Sequence, residues 1–190
     1  MRASGVQYHV YADNKDFVCT VRGKLRKGKA TTTNLLAVGD EVWVTPTSED
    51  QAVIERIGER RSKLSRRSPG MPPREQILAV NVDYAIIVMA AIAPDFNKNR
   101  LDRYITASDK GNIKPVVCIN KIDLVDEDYI RNEMAVYEKL GFLVLYTSAS
   151  TGRGLDELRE LLKNNVSAFV GSSGVGKSSL INAIQQIGRA

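Results

Sequence analysis

From residue 82 onward, nearly continuous apolar runs alternate with stretches of helical periodicity. The run Val82-Asp83-Tyr84-Ala85-Ile86-Ile87-Val88-Met89-Ala90 is almost unbroken, the pattern of a strand buried on both faces. Shorter runs recur at 115–119, 142–146 and 166–170. Helical spacing lies between them, at 101–108, 126–140 and 155–162, and again at 178–187. In the third of these, Leu155, Leu158, Leu161 and Leu162 fall on one face. Strand alternating with helix predicts a parallel sheet with crossover helices.

The first 60 residues read differently. Short β segments are expected at 6–11 and 17–21, split by the polar turn Ala12-Asp13-Asn14-Lys15-Asp16, and then at 35–38, 41–45 and 51–57. Five short strands without a clear helix suit a small barrel of the OB type, although SH3-like barrels give a similar pattern. Residues 60–75 are basic and carry Pro69, Gly70, Pro72 and Pro73, the chemistry of a linker. The expected organisation is a β-barrel domain over 1–65, a linker over 66–75 and an α/β domain over 76–190.

Composition narrows the chemistry. With 43% hydrophobic and 26% charged residues, the 190-residue chain is too apolar for a disordered protein. No stretch approaches 18 uncharged apolar residues, so no membrane span is expected. One histidine, His9, and two cysteines 99 positions apart, Cys19 and Cys118, do not offer zinc-site spacing or a histidine triad. The net charge of +5 is unevenly placed. Residues 1–75 hold 14 Lys/Arg against 9 Asp/Glu, whereas 76–190 hold 13 of each. A basic module beside a neutral one points the first toward a polyanion.

Residues Gly171-Ser172-Ser173-Gly174-Val175-Gly176-Lys177-Ser178 match G-x-x-x-x-G-K-[ST] in full, between an apolar run and a helical one. Glycines there let successive backbone N–H groups turn toward phosphates that a Cβ would obstruct. The helix N-terminus adds its positive dipole end. Lys177 is expected on the β and γ phosphates and the Ser178 hydroxyl on Mg²⁺, with Ser179 following in the first helical turn.

Asn120-Lys121-Ile122-Asp123 directly follows the run at 115–119. A carboxylate at Asp123 can accept from the ring N–H and exocyclic amine of guanine. Adenine lacks that donor pair and would leave the carboxylate unpaired. The Lys121 stem can cover the base, and Asn120 can tie the base loop to the phosphate loop. Four polar loop letters are weak alone. They gain force from Ser148-Ala149-Ser150 at the next strand end, where the Ala149 N–H is expected on the guanine carbonyl. GTP is therefore expected over ATP. The base motifs precede the phosphate loop, the reverse of the usual GTPase order, which indicates circular permutation.

Arg22-Gly23-Lys24-Leu25-Arg26-Lys27, Val38-Gly39-Asp40, Asn81-Val82-Asp83, Asn120–Asp123, Ser148–Ser150 and Gly171–Leu180 together resemble the RsgA/YjeQ family of circularly permuted ribosome-assembly GTPases. The resemblance implies an α/β P-loop GTPase domain behind an OB-fold, a cytoplasmic setting, and GTP/GDP with Mg²⁺; a monomer without membrane attachment is expected. It also implies binding to the small ribosomal subunit and its rRNA in late maturation, with hydrolysis stimulated there. Zinc is implied by the family, but this sequence carries no ligands for it. Family members continue into switch segments, a D-x-x-G element and a C-terminal zinc domain. Here the sequence ends 13 residues after Lys177, and none of its 14 glycines has an aspartate three positions earlier. The expectation is a GTPase domain lacking its switch regions, which binds nucleotide and does not hydrolyse it alone. An RNA-binding module with a structural nucleotide is the alternative, and a large-subunit GTPase is disfavoured by the basic β module.

Arg22, Lys24, Arg26, Lys27 and Lys29 crowd eight positions and are the candidate rRNA contacts, with a second basic cluster at 56–67. Tyr8, Tyr11, Phe17 and Trp43 are candidate stacking groups, but Trp43 alternates with Val42 and Val44 and could equally face a core.

Overall fold

A computed structural model describes residues 7–23, 25, 35–67 and 74–187. The chain divides into two compact units, residues 1–61 with 65–81, and residues 62–64 with 82–190.

In the first unit, β1 (Tyr8–Ala12) and β2 (Lys15–Val21) form a hairpin. Its two turn residues, Asp13 and Asn14, both take positive φ, as the twist of a two-residue hairpin requires. β3 (Val42–Pro46) and β4 (Gln51–Ile57) complete a sheet ordered β1-β2-β4-β3, in which β2 and β4 run parallel. Phe17, Cys19 and Val21 alternate inward along β2 and meet Ala52, Ile54 and Leu36 in a core.

β5 (Lys63–Arg67) and β6 (Glu75–Val80) form a separate two-stranded sheet. The expected linker at 66–75 therefore differs from the structure at both ends. The Ser65 hydroxyl donates to Glu75 and Arg66 to Gln76 across the pair. The proline and glycine that suggested a linker are confined to 69–73, outside the described residues. Residues 35–38, expected as a strand, form only an isolated bridge between Val38 and Ala79. The reason is local. Asp40 accepts the Ala37 N–H with its side chain and returns its own N–H to the Ala37 carbonyl, a turn that uses the groups a strand would need.

The second unit holds β7 (Tyr84–Ala90), α1 (Lys98–Lys110), β8 (Lys114–Asn120), a short 3-10 turn (Ile122–Leu124), α2 (Glu127–Lys139), β9 (Leu143–Tyr146), α3 (Leu155–Leu162), β10 (Ser167–Val170) and α4 (Lys177–Ile187). The strands coincide with the apolar runs to within two residues. All four are parallel, in the order β10-β7-β8-β9. Successive residues of β7 feed opposite faces. Ile86, Val88 and Ala90 pack with Leu155, Leu158 and Leu180, while Ile87 and Met89 pack with Leu101, Ile130 and Met134. The result is three layers, with helices on both faces of the sheet. Asn97 caps α1 through the Arg100 N–H, and Asp126 caps α2 through the Asp128 N–H.

Candidate nucleotide site

Parallel strands bring their carboxyl ends to one edge, where ligands of open α/β sheets gather. In register, Val170 lies beside Ile87, Ala90 beside Asn120, and Ile119 beside Tyr146. The loops opening at 171, 120 and 147 therefore share one edge, although they lie far apart in sequence.

The phosphate loop is set by its backbone. Gly171, Gly174 and Gly176 all take positive φ. A Cβ on Gly171 would overlap the Val88 carbonyl oxygen, and one on Gly176 would overlap Asn120 Nδ2. This loop is a cradle that side chains would fill. Lys177 Nζ folds over it, donating to the Gly171 carbonyl at 3.0 Å and the Ser172 carbonyl at 2.7 Å. Ser173, Ser178 and Ser179 are exposed, whereas Val175 is buried in the core.

The base loop is set by side chains. Asn120, 1% exposed, donates from Nδ2 to the Val175 carbonyl at 2.9 Å. Its Oδ1 accepts the Ala149 N–H at 3.2 Å and the Thr147 hydroxyl at 3.4 Å. One buried amide thus ties the base loop to the phosphate loop, the tie expected of Asn120, and reaches the 147–150 loop as well. The Ala149 N–H, expected on a base carbonyl, is directed to Asn120 in this structure. Ile122 is not a surface contact. Its side chain is core, and its N–H donates to the Thr147 carbonyl. Asp123 stays exposed, with the Ser150 hydroxyl donating to its carboxylate at 3.0 Å. Hydrogen bonding from Ser148, and then from Ser150 and its own N–H, holds the Asp123 carboxyl below the usual range, against partial desolvation. A cleft of about 510 Å³ is lined by Asn120, Lys121, Asp123, Ala149, Gly176 and Ser179 among others. That lies within the roughly 300–1,000 Å³ of small-molecule sites.

Two supports were not read from the sequence. The Ser148 N–H donates to the Arg153 carbonyl, and the Arg153 guanidinium pairs with Glu127, which also pairs with Arg131. The loop after β7 carries a carbonyl, that of Ala93, which accepts from Lys121 Nζ. No motif links these positions; only the fold brings them together.

A family model described as RsgA GTPase matches residues 57–189. The chain belongs to the RsgA GTPase family. Among its relatives, the small ribosomal subunit biogenesis GTPase RsgA of Caldanaerobacter subterraneus is 40% identical over 178 residues, covering 94% of this chain and 56% of the relative. That of Geobacillus kaustophilus is 40% identical over 181 residues, covering 94% and 57%. The crystal structure of YjeQ from Thermotoga maritima matches with a TM-score of 0.74 at 33% identity, covering 94% of this chain and 60% of that one. The crystal structure of YloQ, a circularly permuted GTPase, matches with a TM-score of 0.71 at 32% identity, covering 98% of this chain and 63% of that one. The chain spans a little over half the length of these curated relatives.

Of the candidate rRNA contacts in the first unit, Lys24, Arg26, Lys27 and Lys29 lie outside the described residues. Arg22 is exposed and ion-paired with Glu55. Trp43 faces outward, 50% exposed, with the Arg56 guanidinium 3.5 Å from its ring centre, while Val42 and Val44 join the core. Phe17 is core rather than a free stacking group.

Among the described residues, no three His, Cys, Asp or Glu side chains gather to hold a metal ion. Magnesium at a phosphate loop needs no such cage, because it keeps waters and uses substrate phosphates with one hydroxyl. The exposed Ser178 hydroxyl, one residue after Lys177, fits that donor set. Cys19 and Cys118 are both fully buried, and burial pushes the Cys118 thiol up to about 11. No described helix is long and apolar enough to cross a membrane.

Proposed function

We propose that the chain binds guanine nucleotide in the cleft between the phosphate loop and Asp123, as the nucleotide domain of a circularly permuted GTPase. The observation that carries the reading is the buried Asn120 amide, which holds the two loops in one arrangement while leaving the Asp123 carboxylate exposed at the cleft. Asp123 accepts from guanine, the Lys121 stem covers the base, and Ser148 and Ala149 close its far edge. At the other end, the backbone of Gly171–Gly176 receives the phosphates, and Lys177 leaves its two carbonyl partners for them. Ser178 holds Mg²⁺, which when bound neutralises phosphate charge. Hydrolysis of GTP to GDP and phosphate is the reaction that the family's description supports.

The wider reading is a part in late maturation of the small ribosomal subunit, in the cytoplasm. Residues 1–65 serve in it as an OB-fold that meets rRNA through the basic segment from Arg22 to Lys29. It is supported by the charge asymmetry and by the names of the relatives.

The test is a titration with fluorescent GDP, competed by ATP and by XDP, in the wild type and in Asp123→Asn. GDP binding that ATP does not displace, turning toward XDP in the variant, supports the reading. Xanthine carries a carbonyl where guanine has its amine, so an asparagine amide suits it better. Equal competition by ATP would reduce residues 120–123 to a turn and the site to a general nucleotide site.

A further inference from the structure

Helix α1 opens against its own dipole. Its first turn carries Lys98 and Arg100 and no acidic residue. Cations at a helix N-terminus oppose the positive dipole end, a local cost to the helix. Residues that break a local rule tend to mark function. Lys98 has an explanation, an ion pair with Glu133 at 2.8 Å. Arg100 forms no ion pair among the described residues. Its Nη1 instead donates to the Ser172 hydroxyl in the phosphate loop, at 3.1 Å.

Ser172 is therefore where two cations meet. Lys177 Nζ donates to its carbonyl, and the Arg100 guanidinium donates to its hydroxyl. Neither has a carboxylate partner among the described residues, and the loop between them already presents the helix N-terminus of α4. The placement of Arg100 is fixed as well. Its backbone N–H is the donor to the Asn97 cap, so the residue is locked into the first turn of α1. The loop leading to that cap lies against the phosphate loop, with Pro94 3.7 Å from the space beside Gly174. Arg100 is exposed, and a neutral hydroxyl is a weak partner for a guanidinium.

We propose that Arg100 is a phosphate-binding residue supplied from within the chain. Its guanidinium leaves the Ser172 hydroxyl for the terminal phosphate of a bound nucleoside triphosphate, and so distinguishes triphosphate from diphosphate. The inference rests on the nucleotide reading above and adds a residue outside all three motifs.

The experiment measures binding of GDP and of the slowly hydrolysed analogue GTPγS, with Mg²⁺, to wild type, Arg100→Ala and Arg100→Lys. A charge-assisted contact made only to the third phosphate predicts that Arg100→Ala weakens GTPγS by about tenfold and leaves GDP within about twofold. Arg100→Lys recovers part of the loss, because it keeps the charge without the forked geometry. Unchanged GTPγS affinity, or an equal loss for both nucleotides, overturns the role of Arg100 while leaving the site intact. A wild type that binds neither nucleotide overturns the nucleotide reading and this inference with it. Retained GDP binding in the variants also shows that they are folded.

Discussion

The two ends of the cleft hold their shape by different means. At the phosphate end, geometry is stored in the backbone, in positive φ angles and in approaches so close that Gly171 and Gly176 leave no room for a Cβ. At the base end it is stored mainly in side-chain hydrogen bonds, in two sets: the Thr147 hydroxyl and the Ala149 N–H on Asn120, and Ser148, Ser150 and Asp123 among themselves. Backbone storage permits one residue type and fails abruptly. Side-chain storage is spread over several weaker bonds, each of which can be removed alone.

Substitutions at the two ends should therefore differ in size. The largest effect is expected from Gly171→Ala, which puts a Cβ into the Val88 carbonyl at the junction of β10 and β7 and keeps a strained φ. The expected cost is about 3 kcal/mol or more. The thermal transition of the second unit, followed by circular dichroism, should fall by roughly 10 °C. A shift of only one or two degrees, by the same conversion, would mean that the strand junction yields and that backbone storage is not strict. Next is Asn120→Ala, which orphans the buried Val175 carbonyl and the Ala149 N–H together. Urea unfolding should show about 2 kcal/mol lost, with GDP affinity lowered as the two loops uncouple. Full stability with unchanged affinity would show that the loops are held by something other than this amide.

The same contrast explains what could be read from the sequence. The phosphate loop was legible because backbone geometry leaves a spelling, and the four strands of the second unit because burial on both faces leaves unbroken apolar runs. The tie made by Asn120 was legible in role. The Ile122 side chain was not, since four motif letters do not say which faces inward; Ile122 joins the core with Leu101 and Ile130. Arg153 and Arg100 were invisible because their partners lie in other elements and no local pattern marks them; Glu127 pairs with Arg131 four positions on in its own helix, but its second partner, Arg153, lies outside it. In the first unit, the short β segments located β1 to β4 to within two residues. The same reading failed at 35–38, where Asp40 turns the chain, and prolines at 69–73 masked the pairing of β5 with β6 on either side.

The smallest effect should come from Ser150→Ala, which removes one donor from an exposed carboxylate and one partner from the Ser148 hydroxyl, which keeps the Thr151 N–H. Ser148 and the Asp123 N–H remain, so the fold and the cleft should persist. What changes is the protonation of Asp123. A carboxyl held below its ordinary range stabilises the folded state fully above the unfolded pKa, about 3.9 for aspartate, and loses that contribution as pH falls through the folded value. Without the Ser150 hydroxyl, the folded midpoint moves upward toward the ordinary range, so the contribution at neutral pH is smaller and its loss is complete at a higher pH. Carboxyl-carbon NMR titration of the nucleotide-free protein reads this directly for the single residue. An upward shift of the Asp123 midpoint with an unchanged thermal transition near pH 7 would show that the base end yields one bond at a time. An unmoved midpoint would assign the depression to Ser148 and the backbone alone and make Ser150 a bystander at the cleft.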